Sequence, residues 1–365
     1  MNEINSLVVI LILGSLFLLS FLLISNLIKV NKKANFWFGI FLFLWSTFWL
    51  EEIFELVGFQ PLNNTLFIPI RIFQFLTPII LYYSIKYYSN PDFKLKKTDS
   101  LYLISPLLYL LLLIVQLKDK NNTITPNIIN GFIISQALYF TIYSYIIIQH
   151  HKKRIRLFAS NTNKIDLKWL ESIIIALLGL SIFIGIYNII FRGADLNLLA
   201  NVISLIIIYF ISFNSLRQKE IFLLNENQRN LIIATGEQSV KEKRKIIPDN
   251  DLEILKTKLT RLMEDQHPYL DSELTLIRLA ELIELTPHQL SYVINKGFSE
   301  NFFWFVNRYR VQRVKELLSN GQNDHMSILG IAFESGFNSK TSFNTAFKKI
   351  SSQTPSEFKK SSSTL

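Results

Sequence analysis

Long apolar stretches recur through the first 216 residues, each followed by a short polar segment. A helix that crosses a bilayer needs about 20 mostly apolar residues, so this pattern predicts seven transmembrane spans. The predicted spans cover residues 6–28, 36–57, 66–88, 101–117, 128–148, 169–191 and 196–216. A cleaved signal peptide is the alternative for the first span, but its apolar run is too long and no basic residue precedes it.

From residue 249 the pattern changes to short amphipathic helices, and one helical unit occurs twice. The first copy reads LIRLA at 276–280 and then TPHQLS at 286–291, and the second reads ILGIA at 328–332 and then GFNSKTSF at 336–343. Each copy has an apolar helical face, a sharp turn, and a second helix with outward polar residues. That order is typical of a helix-turn-helix, whose second helix enters the DNA major groove.

Helical periodicity separates a buried face from an outer face on both second helices. Leu290 and Val293 mark the predicted core face of the first, and Phe343 and Phe347 mark that of the second. The outward polar residues are the predicted DNA-binding residues: His288, Ser291, Tyr292 and Asn295 on the first helix, and Lys340, Thr341, Asn344, Thr345 and Lys348 on the second.

A long helix predicted at 301–318 connects the two units and carries Arg308, Arg310 and Arg313. Bases outnumber acids from residue 285 onward, and phosphate contacts from such residues position a protein on DNA. The basic residues are therefore predicted phosphate ligands, with a solvated basic surface as the alternative. For Arg310 a packed structural role also stays open.

The segment 217–247 is the only covalent connection that the sequence predicts between the two halves. Its apolar residues, including Leu224 and Leu231, lie roughly at heptad spacing. This spacing suits a short coiled coil between two copies of the chain. A single amphipathic helix along the membrane surface accounts for it equally well.

The distribution of lysine and arginine predicts how the spans are oriented. These residues cluster after the first, third, fifth and seventh predicted spans, while the alternate segments contain few of them. Cytoplasmic segments of membrane proteins carry this excess of basic residues. The N-terminus is therefore predicted outside, and the C-terminal units are predicted in the cytoplasm.

Few ionisable residues lie within the predicted spans. Arg71 lies near the outer end of the third span, and Glu51, Glu52 and Glu55 lie at the outer end of the second. Ionisable residues within a membrane are costly and commonly functional. One interpretation is a structural role, in which Arg71 reaches outward or pairs with a glutamate, and the other is a role in sensing a ligand.

Residues from about 270 to 360 resemble the AraC family of bacterial regulators. The most specific stretch is IAFESGFNSKTSFNTAFKK at 331–349, followed by TPSEF at 354–358. The resemblance implies seven cytosolic helices, with two recognition helices in successive major grooves and a long helix that sets their spacing. Glu284 departs from the pattern, because the family often has glycine at that turn. The apolar half looks like the membrane-anchored branch of the family.

Nothing in the sequence points to catalysis, a cofactor or a bound metal. There is no glycine-rich phosphate loop, and the five histidines form no HExxH-type spacing. The pair His150-His151 lies in a basic cluster and is interpreted as facing lipid head groups. The chain has no cysteine, which excludes disulfides and thiolate metal ligands.

The predicted fold is all-α: a seven-span transmembrane domain at 1–216, a helical linker at 217–248 and a cytosolic double helix-turn-helix at 249–365. The predicted function is a membrane-bound, sequence-specific transcription regulator that couples a signal in or across the membrane to promoter binding. The alternative is a receptor-like or transporter-like protein whose helical tail binds a protein partner.

The predicted partners follow from this function and from the net charge of +10, which suits nucleic acid or anionic lipid. They are double-stranded promoter DNA, the lipid bilayer, RNA polymerase, a second copy of the chain, and an unknown small molecule or membrane signal. The predicted location is the bacterial inner membrane.

Overall fold

The computed structural model describes residues 3–27, 31–59, 67–118, 124–162, 165–190, 197–217, 247–319 and 325–362. Side chains are described for all of these except 184–190, 197, 217, 249, 250 and 362. The predicted coiled-coil seam at Leu224 and Leu231 therefore lies outside the described residues.

The chain divides into two compact units. The first comprises residues 1–149 and 167–221, and the second comprises 150–166 and 222–365. The described residues of both are helical, and their β-pairing is limited to an isolated bridge between Ala159 and Thr275. The prediction of an all-α chain is confirmed for this part of the protein.

The first unit is built from helices α1 to α8, and the end of α6 belongs to the second unit. Their bounds are Glu3–Ile24 (α1), Lys32–Ser46 (α2), Leu50–Leu56 (α3), Phe67–Ser89 (α4), Ile104–Lys118 (α5), Ile124–Ile155 (α6), Lys168–Ile190 (α7) and Asn197–Arg217 (α8). Among the described residues, six helical stretches are long and apolar enough to cross a membrane, judged by length and composition. They match the first five predicted spans and the seventh. The predicted sixth span coincides with α7. The side chains of α7 after residue 183 are not among those that the structure describes.

Large apolar side chains cover the outer faces of these helices. Leu18, Phe21 and Leu107 are 61%, 65% and 64% exposed, whereas Ile12 and Leu16 on the inner face of α1 are fully buried. Water-soluble proteins rarely expose contiguous apolar surface on this scale. Helices that are apolar all round are characteristic of membrane spans or the interior of a large protein.

The second unit contains helices α9 to α15. Their bounds are Asp249–Asp265 (α9), Leu276–Ile283 (α10), Pro287–Gly297 (α11), Phe302–Ser319 (α12), Ile328–Glu334 (α13), Lys340–Ser351 (α14) and Pro355–Ser362 (α15). The pairs α10–α11 and α13–α14 are the two repeated units. Helix α12 connects them, and its 18 residues correspond to a length of about 27 Å.

Side-chain caps explain where the helices of the repeats begin. The hydroxyls of Thr275, Thr286, Ser327 and Ser339 each accept a hydrogen bond from a backbone N–H in the first turn of α10, α11, α13 and α14. Each bond satisfies an N–H that has no partner within the helix. Each of these four helices therefore begins directly after a capping hydroxyl residue.

Helix α12 is shared between two hydrophobic cores. Phe302, Phe305 and Val306 in its first half pack with α10 and α11. Val311 and Val314 in its second half pack with α13 and α14 in a separate core. Because one continuous helix supplies both cores, it holds the two repeated units in a defined relation.

The segment between the predicted fifth and sixth spans is part of the second unit. Phe158 and Ala159 are buried in the core of the first repeat. The carbonyl oxygen of Phe158 accepts a hydrogen bond from the N–H of Leu276 at 3.0 Å, and that of Arg156 accepts one from Phe303 at 3.1 Å. The segment 150–166 thereby satisfies N–H groups at the starts of α10 and α12. The expectation that 217–247 is the only covalent connection between the halves is wrong.

Candidate DNA-binding interface

The second recognition helix, α14, presents a continuous polar face. Ser342, Phe343, Ala346 and Phe347 are buried on its inner side. The five residues expected to face outward are all exposed: Lys340, Thr341, Asn344, Thr345 and Lys348. They follow an i, i+1, i+4, i+5, i+8 pattern, which forms one stripe along a helix. This stripe combines amide, hydroxyl and ammonium groups, the side-chain types that contact base edges and phosphates.

The first recognition helix, α11, has a narrower polar face than the sequence predicts. His288, Tyr292 and Asn295 are half-buried. The expectation that Ser291 faces outward is wrong, because it is 4% exposed. Helix α11 contacts α9, α10 and α12. These neighbours bury side chains that helical periodicity alone assigns to the exposed face. The Ser291 hydroxyl accepts a hydrogen bond from Asn295 at 3.3 Å.

An exposed lysine extends this interface. Lys296 lies in the last turn of α11 and is exposed, and it is not among the predicted DNA-binding residues. Because Lys296 lies four residues after Tyr292, it is on the same side of the helix, and this spacing could have predicted it. By contrast, the ammonium of Lys349 lies 4.5 Å from the ring centroid of Trp304 on α12, which directs it toward the protein.

The turns of the two repeats differ in the residue that adopts a left-handed backbone conformation. In the first repeat Glu284 ends α10 with φ of 63°, a conformation that costs L-residues roughly 1–2 kcal/mol. In the second, Gly336 adopts φ of 90°. A Cβ at Gly336 would overlap the carbonyl oxygen of Tyr269 and lie 2.9 Å from the Cα of Leu270. Glycine is required there by both conformation and space.

Arg310 is a buried structural residue, which decides between the interpretations left open by the sequence. Only 1% of it is exposed. Its guanidinium donates to the carbonyl oxygens of Tyr269 and Asp271, each at 2.7 Å, and to Asn307 at 3.3 Å. Burial lowers the pKa of Arg310 to about 10, so the group stays protonated and keeps its donors at neutral pH.

The segment 150–166 completes the surroundings of Arg310. The guanidinium donates to the Ser160 hydroxyl at 3.2 Å, and that hydroxyl donates to the carbonyl oxygen of Leu274 at 2.7 Å. Asn307 donates to the Ser160 carbonyl oxygen at 3.2 Å. Ser160 is fully buried. Residues from before the linker are therefore part of the framework that supports the first recognition helix.

In the first unit, the predicted ionisable cluster has a different arrangement from the one expected. Glu52 accepts a hydrogen bond from Asn201 at 3.2 Å, and Asn201 also bonds to Asn5 and Trp49. Glu51 and Glu55 are exposed. The described residues show no ion pair between Arg71 and these glutamates. Arg71 instead lines a cavity of about 500 Å³.

Part of the second unit is similar to a known protein family. Residues 279–361 match the model of a family described as a helix-turn-helix domain, and that domain is of the AraC type. No curated protein and no solved structure matches the chain. The matched range includes α11 and α14 with their exposed polar residues, and it supports DNA binding as the activity of this part of the chain. Residues 279–361 are thus similar to an AraC-type helix-turn-helix domain, and this similarity supports a DNA-binding transcription regulator.

Proposed function

We propose that this protein is a membrane-bound regulator that binds promoter DNA through α11 and α14 and changes its binding in response to a signal in or across the membrane. The exposed stripe on α14 carries the DNA-binding part of the proposal. Lys340, Thr341, Asn344 and Thr345 read bases, while Lys348 and Lys296 contact phosphates. On α11 the reading residues are His288, Tyr292 and Asn295.

Membrane insertion is supported by two independent features. The helices of the first unit expose large apolar side chains on their outer faces, which lipid would cover. Basic residues cluster in alternate connecting segments, which favours an outer N-terminus and a cytoplasmic DNA-binding unit in the inner membrane. Reporter fusions after Gln60 and after Lys94 should report outside and inside respectively. The reverse pattern would contradict this orientation.

Coupling between membrane and DNA is supported by the segment 150–166. It follows the predicted fifth span directly, and helix α6 contributes residues to both units. A movement of that span would act on the groups that hold Ser160 and Arg310. We also propose that the linker forms a coiled coil with a second copy of the chain and that the regulator contacts RNA polymerase. Both interactions are compatible with coupling through the segment 150–166.

Two insertion variants, each with a few added Gly-Ser residues, distinguish two models. In one the spans control DNA binding, and in the other they only anchor the DNA-binding unit to the membrane. An insertion after Gln149 should lock transcription on or off, because it interrupts α6 before the buried segment. An insertion after Asn230 should leave regulated output if coupling runs through α6. Regulated transcription in both insertion variants would remove the coupling proposal and leave anchored DNA binding intact.

DNA recognition is tested with the full chain in lipid nanodiscs and a selected DNA library. Lys340→Ala and Asn344→Ala should each cost about 1–3 kcal/mol and relax preference at particular bases. Lys348→Ala should weaken binding to all sequences and reduce the salt dependence. Gln312→Ala, an exposed change on α12, is the control. Unchanged affinity in all three variants would contradict the assignment and favour a protein-binding tail.

A further inference from the structure

The cavity lined by Arg71 combines apolar walls with two unmatched polar groups. It lies in the first unit and measures about 500 Å³, within the range of roughly 300–1,000 Å³ that is usual for small-molecule sites. Its apolar lining includes aromatic and aliphatic side chains: Phe41, Trp45, Phe48, Leu81, Leu177 and Leu178. Such walls suit a hydrocarbon chain.

The first polar group is the side-chain carbonyl of Gln136. Gln136 is 6% exposed, and its amide nitrogen donates to the carbonyl oxygen of Phe75 at 3.2 Å. Its Oε1 atom is buried and has no hydrogen-bond partner among the described residues. A buried acceptor without a donor is costly, so a ligand with a hydroxyl or N–H group would stabilise it.

The second polar group is the guanidinium of Arg71. Within the described residues no carboxylate forms an ion pair with it. The hydroxyls of Thr77, Thr141 and Ser181 also line the cavity, but each donates to a carbonyl oxygen of its own helix. Gln136 thus has a buried acceptor without a donor, and Arg71, whose side chain is exposed, is a cation at the cavity without a carboxylate partner among the described residues.

We propose that this cavity binds an amphiphile that has an acyl chain, an anionic head group and a hydroxyl or N–H donor near that head. The chain lies along the aromatic wall, the anion pairs with Arg71, and the donor bonds to Gln136. This inference rests on the proposed function, for which it supplies the class of signal. Two sources offer this chemistry: a free hydroxylated fatty acid, and a bilayer lipid such as phosphatidylglycerol.

The test measures binding to the full chain in phosphatidylcholine nanodiscs through tryptophan fluorescence, with Trp45→Phe as the control for the signal. The probe is 3-hydroxyhexadecanoate, compared with hexadecanoate, which lacks the hydroxyl, and hexadecanol, which lacks the charge. Wild type should bind the hydroxy acid most tightly and the alcohol least. A second arm replaces the free acid with brominated phosphatidylglycerol and compares it with brominated phosphatidylcholine. Stronger quenching by the phosphatidylglycerol, without a fluorescence change on adding the acid, assigns the bilayer as the source.

Variants identify the groups responsible. Arg71→Gln should weaken binding of the hydroxy acid by at least about tenfold, the value of a lost charge-assisted hydrogen bond, and Arg71→Lys should retain part of the affinity. Gln136→Leu should abolish the preference for the hydroxylated acid, whereas Gln116→Leu on α5, outside the cavity, should not. Equal affinity of wild type and Arg71→Gln, or equal binding of hexadecanol and the acid, would overturn the proposal. Without ligand, Arg71→Gln should bind DNA as wild type does. Loss of DNA binding in every variant would count against the proposed function and not against the ligand site.

Discussion

The guanidinium of Arg310 donates a hydrogen bond of 3.2 Å to the hydroxyl of Ser160, which lies 150 residues earlier in the chain. One residue belongs to the helix shared by both repeats, and the other to a segment between two predicted spans. Their contact places the segment 150–166 inside the DNA-binding unit.

Removing the Arg310 side chain should destabilise the second unit. Arg310→Ala removes the donor to the buried carbonyl oxygen of Tyr269 and leaves that of Asp271 with only the N–H of Leu274, and we expect a loss of at least about 3 kcal/mol. Arg310→Lys should recover only part of this, because a single ammonium cannot reproduce the planar fork. Pulse proteolysis of the full chain in urea measures the change, with the exposed Arg313→Ala as control. A stable Arg310→Ala protein with a shallower salt slope for DNA binding would instead indicate a phosphate contact.

The Ser160 hydroxyl should contribute to the stability of the same unit. Ser160→Ala removes the bond to Leu274 and the acceptor for Arg310, at a cost of about 1–2 kcal/mol. Ser319→Ala changes an exposed serine at the end of α12 and should have little effect. The same unfolding measurement compares the two variants. Equal stability would show that the segment 150–166 does not support the DNA-binding unit.

Gly336 should not tolerate a side chain. Gly336→Ala combines a left-handed backbone with a collision against the backbone of Tyr269 and Leu270. We expect a loss of more than about 2 kcal/mol and weaker DNA binding, because the turn sets the angle of α14. Gly297→Ala is the matched control, since the atoms nearest to its Cβ would be those of the Lys256 side chain, the closest at 3.5 Å. Similar stability of both variants would contradict the requirement for glycine at 336.

Glycine at position 284 should stabilise the first repeat. Glu284→Gly relieves the left-handed strain at φ of 63° and should add up to about 1 kcal/mol. The exposed ion pair between Lys258 and Glu284, at 3.7 Å, contributes little. Glu281→Gly, inside α10, should destabilise by about 1 kcal/mol. The two variants should therefore shift the unfolding midpoint in opposite directions, and a shift in the same direction would contradict the strain at Glu284.

The positions of the helices and the exposed face of α14 could be predicted from the local sequence alone. Length and apolar composition predict where long helices form, because a helix satisfies its own backbone groups. Hydroxyl residues before an apolar run predict the caps at Thr286 and Ser327. On α14 the periodic spacing of Phe343 and Phe347 separates inside from outside, since the opposite side of that helix is not covered by another described element.

Only the tertiary structure decided which polar residues are enclosed by several elements at once. Ser291 follows the outward pattern of α11, but three neighbouring helices leave that helix a narrow open face. Arg310 resembles a phosphate ligand in sequence, yet its acceptors come from Tyr269, Asp271 and Ser160. These contacts join residues that lie 39 to 150 positions apart, and helical periodicity, which extends over a few turns, carries no information about partners at that separation.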